Sequence, residues 1–178
     1  MKGMILKFKG HVKNILSELL KEIDNKNLYF YLNYWESYFD DIDESEYDFN
    51  TLKDISSDMI KEKIFDDTLK VSPEFMELFV YDKISNTYNT ISTYEDFLKS
   101  DCILSIVSYD YNNIEICSKY DNILLSIMNN IKRLELEDTK IVILKNIHPK
   151  ASLKAWKSIN DIPLYIDDQE ITTILKVS

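Results

Sequence analysis

Val12, Ile15, Leu16, Leu19, Leu20 and Ile23 recur at intervals of three and four along the chain. That spacing gathers apolar side chains onto one stripe of a helix. It predicts a helix over about Gly10 to Asp24, and a stripe of this kind needs a sheet to cover it. Apolar runs suited to strands flank it, Met4 to Phe8 before and Leu28 to Trp35 after, the second dense in the aromatic residues that favour a pleated surface. The chain therefore opens β-α-β.

The same reading carries on toward the C-terminus. Leu52, Ile55, Met59 and Ile64 predict a helix from Asn50 onward, and Phe75 to Tyr81 reads as a strand. Ser92 or Thr93, followed by Glu95 and Asp96, has the form of a helix start leading to Tyr94, Phe97 and Leu98 and stopping before Asp101. Cys102 to Tyr109 and Ile114 to Ser118 read as a hairpin turning at Tyr111-Asn112, a register that sets Cys117 opposite Ile106. Ile123, Leu124, Ile127, Met128, Ile131 and Leu134 form a second helical stripe, and Ile141 to Leu144 a further strand. From His148 to Ser178 the pattern weakens, with a strand expected at Pro163 to Ile166.

The order β-α-β, α, β, α, β-β-α-β points to an α+β fold: a single mixed, largely antiparallel sheet with amphipathic helices packed mainly on one face. At 178 residues one globular domain spanning 1–178 is expected, with 148–178 the less certain C-terminal extension. Only two glycines, Gly3 and Gly10, serve the chain, so tight turns must lean on asparagine and aspartate, as at Asn112-Asn113. The shortage of glycine also excludes a glycine-rich phosphate loop, a dinucleotide fingerprint and a Gly-x-Ser-x-Gly elbow.

Charge changes the picture more than composition does. Glu36 to Asp67 holds twelve acids and three lysines, a formal −9 out of the chain's −10. A field concentrated this way repels nucleic acid and draws in a basic surface or a cation. Asp41, Asp43 and Ser45 start with the spacing of a calcium loop, but Glu46 stands where that loop needs glycine and Leu52 where it needs a bidentate carboxylate. Catalytic constellations are equally thin. His11 and His148 lie on separate elements with no cysteine nearby in sequence, and no glutamate is followed two residues on by lysine. The basic residues are lysine save for Arg133, which argues against guanidinium forks for phosphate. No metal, cofactor or catalytic residue is expected. Cys102 and Cys117 are expected to be free, buried thiols. The start, Met1 to Lys9, does not read as a signal peptide, and no run suits a membrane span, so a cytoplasmic protein is expected.

Within the acidic stretch Tyr38, Phe39, Ile42, Tyr47 and Phe49 alternate with Asp40, Asp41, Asp43, Glu44, Glu46 and Asp48. Aromatic anchors in a negative rim suit a basic protein partner. Tyr38, Phe39, Asp40, Asp41, Asp43, Glu44, Glu46, Tyr47 and Asp48 are the expected partner-binding residues, in the manner of an immunity protein or inhibitor. The plainer reading of the same stretch is a solvated loop and an acidic outer helix face. An enzyme with an unrecognised site and a self-assembling structural protein are the alternatives, and nothing in the sequence sets the oligomeric state.

The run Ser92-Thr93-Tyr94-Glu95-Asp96-Phe97-Leu98-Lys99-Ser100-Asp101-Cys102, with the strands Ile103 to Val107 and Ile114 to Lys119, resembles a segment of an uncharacterised small-protein family of low-GC Gram-positive bacteria. Trp35-Glu36-Ser37-Tyr38-Phe39 is similar too, and the resemblance reaches to about Ile143. It implies a bacterial cytoplasmic protein with a domain of unknown function, and brings no catalytic residues with it.

Overall fold

The computed structural model describes residues 1–10, 12–21, 23, 28–36, 56–65, 73–84, 90–110, 112–134, 136, 138–164 and 171–177. The elements run β1 (Gly3–Lys7), α1 (Lys13–Leu20), β2 (Tyr29–Glu36), α2 (Ser57–Phe65), β3 (Phe75–Tyr81), α3 (Tyr94–Lys99), β4 (Cys102–Tyr109), β5 (Asn113–Ser118), α4 (Asp121–Arg133), β6 (Thr139–Leu144) and β7 (Ile171–Val177). The strands form one sheet in the order β2-β3-β4-β5-β1-β6-β7, antiparallel at every described ladder. The α+β expectation holds, with three of the four described helices on one face.

On that first face the two predicted stripes meet. Val12, Ile15, Leu16, Leu19 and Leu20 of the α1 region and Leu124, Ile127 and Ile131 of α4 pack with Met4, Leu6, Ile106, Ile114 and Ile116 of the sheet. Each such side chain contributes roughly 1.5–3 kcal/mol on burial, enough for the stripes to dictate where the helices lie. A buried asparagine joins the two helices: Asn130 Nδ2 donates to the Glu18 carbonyl at 3.1 Å, adding to the longer 3.4 Å bond that this end-of-helix oxygen accepts from the Lys21 N–H. Ile60 and Ile64 turn α2 inward, whereas Met59, expected on the stripe, is 46% exposed. The expectation failed there because Ile60, one residue on, continues the four-residue spacing to Ile64. Ser57 of α2 accepts the Phe30 N–H at 2.8 Å, which ties the helix to β2.

The second face is covered differently. Phe79, Tyr81, Val107, Cys117, Val142 and Leu144 lie beneath α3 and a strap of largely irregular chain at 147–164, which contributes Ile147, Ala151, Leu153, Ala155 and Leu164. α3 starts as its sequence predicts, with Thr93 as N-cap in a reciprocal capping box with Asp96. The Tyr94 and Glu95 N–H groups donate to the Ala151 and Pro149 carbonyls, so the helix start and the strap satisfy one another.

Two expectations are corrected. The β4-β5 register pairs Cys117 with Ser105 and Ile106 with Ile116, one residue away from the register read in the sequence. Tyr109 and Asn113 close a three-residue loop in which Asp110 takes a left-handed conformation (φ 55°), where a two-residue turn was expected. A one-residue slip exchanges faces, so Cys117 lies on the second face. Cys102 joins it there because a bulge pairs Tyr81 with Cys102 directly after Val80 with Leu104. The strand expected at Pro163 to Ile166 does not form at Pro163 or Leu164, and Tyr165 and Ile166 lie outside the described residues. The C-terminal strand is instead β7, paired along β6.

Gly3 sits mid-sheet, where a Cβ would come 2.7 Å from the Ile116 carbonyl oxygen. Gly3→Ala should therefore cost about 1–3 kcal/mol in chemical denaturation, and an unchanged midpoint would mean that β1 can shift freely. Loss of the α3 cap in Thr93→Ala should cost about 1 kcal/mol by the same measurement.

Candidate functional site

Two glutamates interrupt otherwise apolar strands, Glu77 in β3 and Glu115 in β5, and both are buried on the second face. An acid removed from water is costly unless it is paired, and both are paired with the strap. Glu77 accepts the Ala155 N–H at 2.8 Å and the Asn33 amide at 2.6 Å. Asn33 stands at a register break of β2 between Leu32 and Tyr34, which turns Trp35 to the first-face core while Tyr34 packs with the second. Glu115 takes Lys157 Nζ at 2.5 Å and, more loosely, the Tyr109 hydroxyl at 3.4 Å, with Lys157 also over the Tyr109 ring. Burial outweighs the pull of Lys157, so the Glu115 carboxyl is held above its ordinary range.

Between these anchors the strap presents Trp156. Its ring stacks on Phe75 at 4.0 Å between centroids, and its indole N–H donates to the Tyr34 hydroxyl at 2.6 Å and to Glu36 Oε2 at 2.9 Å. Tyr34 in turn donates to Glu36 at 2.5 Å. Burial first, and then the bond to Glu36, push the Tyr34 hydroxyl up to about 12. Trp156 nonetheless stays 50% exposed, a large aromatic ring fixed on one face by Phe75 and at its N–H edge by Tyr34 and Glu36. It stands beside Glu36, the residue at which the acidic stretch leaves β2, and Glu74 closes the far end by donating its N–H to the Glu36 carbonyl at 2.8 Å.

On the β1-β6 side of Lys157 a cleft of about 570 Å³ opens, bordered by Lys7, Lys140, Tyr109, Asn113, Glu115 and Lys157. Its chemistry is cationic at the rim, with the one carboxylate already committed to Lys157.

Of the residues that the sequence singled out, Tyr38, Phe39, Asp40, Asp41, Asp43, Glu44, Glu46, Tyr47 and Asp48 lie outside the described residues, as does His11. The described part of the acidic stretch includes α2, where Asp58 and Glu62 are exposed opposite buried Ile60 and Ile64. Cys102 and Cys117 are free and buried. Burial drives the Cys102 thiol up to about 12 and the Cys117 thiol higher still, so both stay protonated and unreactive at neutral pH. His148 Nδ1 accepts the Lys150 N–H at 3.1 Å, a local loop contact. Among the described residues no cluster of three or more metal-ligating side chains occurs, and no helix is long and apolar enough to cross a membrane.

The sequence reading passed over Glu77, Glu115, Trp156 and Lys157. A signal existed for the first two, since Phe-Met-Glu-Leu-Phe and Asn-Ile-Glu-Ile-Cys each set one acid among apolar neighbours in a strand. The strap has no periodicity, so Trp156 and Lys157 carried none.

A family model for proteins of unknown function, DUF2691, matches residues 1–152. The chain belongs to that family. Membership takes in the sheet through β6, all four described helices and the start of the strap, while Trp156, Lys157 and β7 lie beyond the matched residues. No curated protein and no solved structure matches the chain. The family brings no activity with it, so the chemistry has to be read from this chain's own side chains.

Glu115 gives that chemistry a pH signature. A carboxyl whose folded pKa lies above its ordinary 4.5 contributes stability below that value and loses it as the pH climbs through the raised one. Stability measured against Glu115→Gln should therefore shift in favour of the variant as the pH rises above the ordinary 4.5. A constant difference over that rise would mean that Lys157 fully offsets the burial.

Proposed function

We propose that this DUF2691 protein is a non-catalytic binding module that engages a basic protein partner through an acidic and aromatic face, in the manner of an immunity protein or inhibitor. The observation that carries the reading is Trp156, half exposed yet locked by Glu36, Tyr34 and Phe75. A rigid aromatic side chain supplies contact area without paying much ordering entropy on binding, which is why such residues dominate interface energetics. Here it stands at the root of a stretch with a formal charge of −9. Asp58 and Glu62 extend the negative charge along the outer side of α2, packed against the same edge strand. Acids of this density speed encounter with a lysine- or arginine-rich surface, and the aromatic anchor slows departure.

The buried carboxylates favour binding over catalysis. Glu77 and Glu115 are occupied by Ala155, Asn33 and Lys157, partners that a general acid or base would have to release. A cytoplasmic location goes with this reading, since two free thiols persist most readily in a reducing compartment.

The test separates the two contributions. Wild type, Trp156→Ala and a variant carrying Asp40→Asn, Asp41→Asn, Asp43→Asn and Glu44→Gln are used to capture partners from the native source, and the captured protein is then purified and titrated. The partner should be basic. Trp156→Ala should speed dissociation by roughly 10- to 100-fold. The neutralised variant should slow association and flatten its salt dependence. Equal recovery of every partner by all three proteins removes the reading.

A further inference from the structure

Lys7 of β1 and Lys140 of β6 are directly opposed across the sheet, and the register brings Lys176 of β7 opposite Lys140. Like charges facing each other destabilise a sheet. In a chain with 31 acids against 21 basic residues, an acid beside them would be the ordinary remedy. Yet among the described residues neither the Lys7 nor the Lys140 ammonium has a hydrogen-bond or ion-pair partner. Lys7 and Lys140 also share their face with Ile5 and Val142, and all four border the cleft of about 570 Å³. The charge of the third lysine at the cleft, Lys157, is matched by Glu115. Among the described residues, two unmatched cations thus face one another at the rim of a concave site whose other described charges, Lys157 and Glu115, are paired with each other.

We infer that this cleft is a binding site for a small polyvalent oxyanion, phosphate-bearing or polycarboxylate, held between Lys7 and Lys140. Lysine offers a compact point charge where arginine would offer a planar fork, so the site selects by charge and size more than by geometry. Tyr109 and Asn113 add polar atoms along the wall. The inference does not rest on the acidic and aromatic face.

The full chain, labelled with ¹⁵N, is titrated with inorganic phosphate, with citrate, and with chloride at matched ionic strength. Saturating shifts of the Lys7, Lys140 and Asn113 amides are expected with phosphate or citrate and not with chloride, and the tighter of the two identifies the class. Lys140→Gln should weaken the binding by about fivefold or more, whereas Lys132→Gln on α4 should leave it unchanged. Without anion, Lys140→Gln should unfold at the same or a higher temperature than wild type, because the repulsion across the β1-β6 pair is gone. Added anion should raise the wild-type midpoint and leave the variant's in place. Failure to saturate with either anion, an equal response to chloride, binding untouched by Lys140→Gln, or a lowered midpoint of that variant without anion each overturns the inference.

Discussion

The structure turns on a sheet that is apolar on both faces while three of its four described helices lie on one of them. β4 is the plainest case, since Leu104 and Ile106 look toward α1 and α4 while Val107 looks the other way and all are buried. A face of that kind cannot be left in water. Irregular chain can cover it only if its backbone donors and acceptors find partners, because each buried orphan costs about 1–3 kcal/mol. The strap meets this demand through α3. Pro149 and Ala151 give their carbonyls to the helix start, Leu153 donates its N–H to the Ser92 carbonyl, and Ser152 donates to Ile162.

The buried acids follow from the same demand. Ala155 passes over β3 with an N–H that no neighbouring strand receives, and the Glu77 carboxylate takes it at 2.8 Å. An apolar residue at 77 would leave that N–H without its acceptor. Glu115 does the same for Lys157, although at a cost that its raised pKa reveals. Neither acid is best understood as a source of net stability, since buried ion pairs often barely repay their desolvation. Their effect is positional: they fix where the strap crosses the sheet, and so set Trp156 over Phe75 and Lys157 over Tyr109.

This division explains what could be read from the residues alone. α1 and α4 bury periodic stripes, and β1 to β6 are apolar or aromatic runs between breakers, so local pattern and tertiary packing agreed. The capping box at Thr93 was legible for the same reason, its chemistry lying within four residues. Apart from Met59, the failures fall where the apolar pattern is silent. The β4-β5 register depended on Asp110 adopting a left-handed turn, a choice invisible in the apolar pattern. β7 was missed because Ile171-Thr172-Thr173-Ile174 earns its place only by pairing with β6. Trp156 has meaning only beside Tyr34 and Glu36, which are 122 and 120 positions away.

Charge is separated along the sheet as well. Glu36 lies on β2, at one edge, whereas Lys7 and Lys140 lie on β1 and β6, toward the other. With neighbouring strands about 4.8 Å apart, the four steps from β2 to β1 span roughly 19 Å. That is more than twice the screening length of about 8 Å at physiological salt. An acid at Glu36 therefore does little to neutralise the lysine row, and the row does little to dull the field of the acidic stretch. The positions between them in that row, Phe75, Tyr109 and Asn113, are uncharged, and the charged side chains beside it on the same face, Glu77, Glu115 and Lys157, are each held by a hydrogen bond. A chain whose overall charge is −10 can in this way hold a cationic pocket within one continuous sheet.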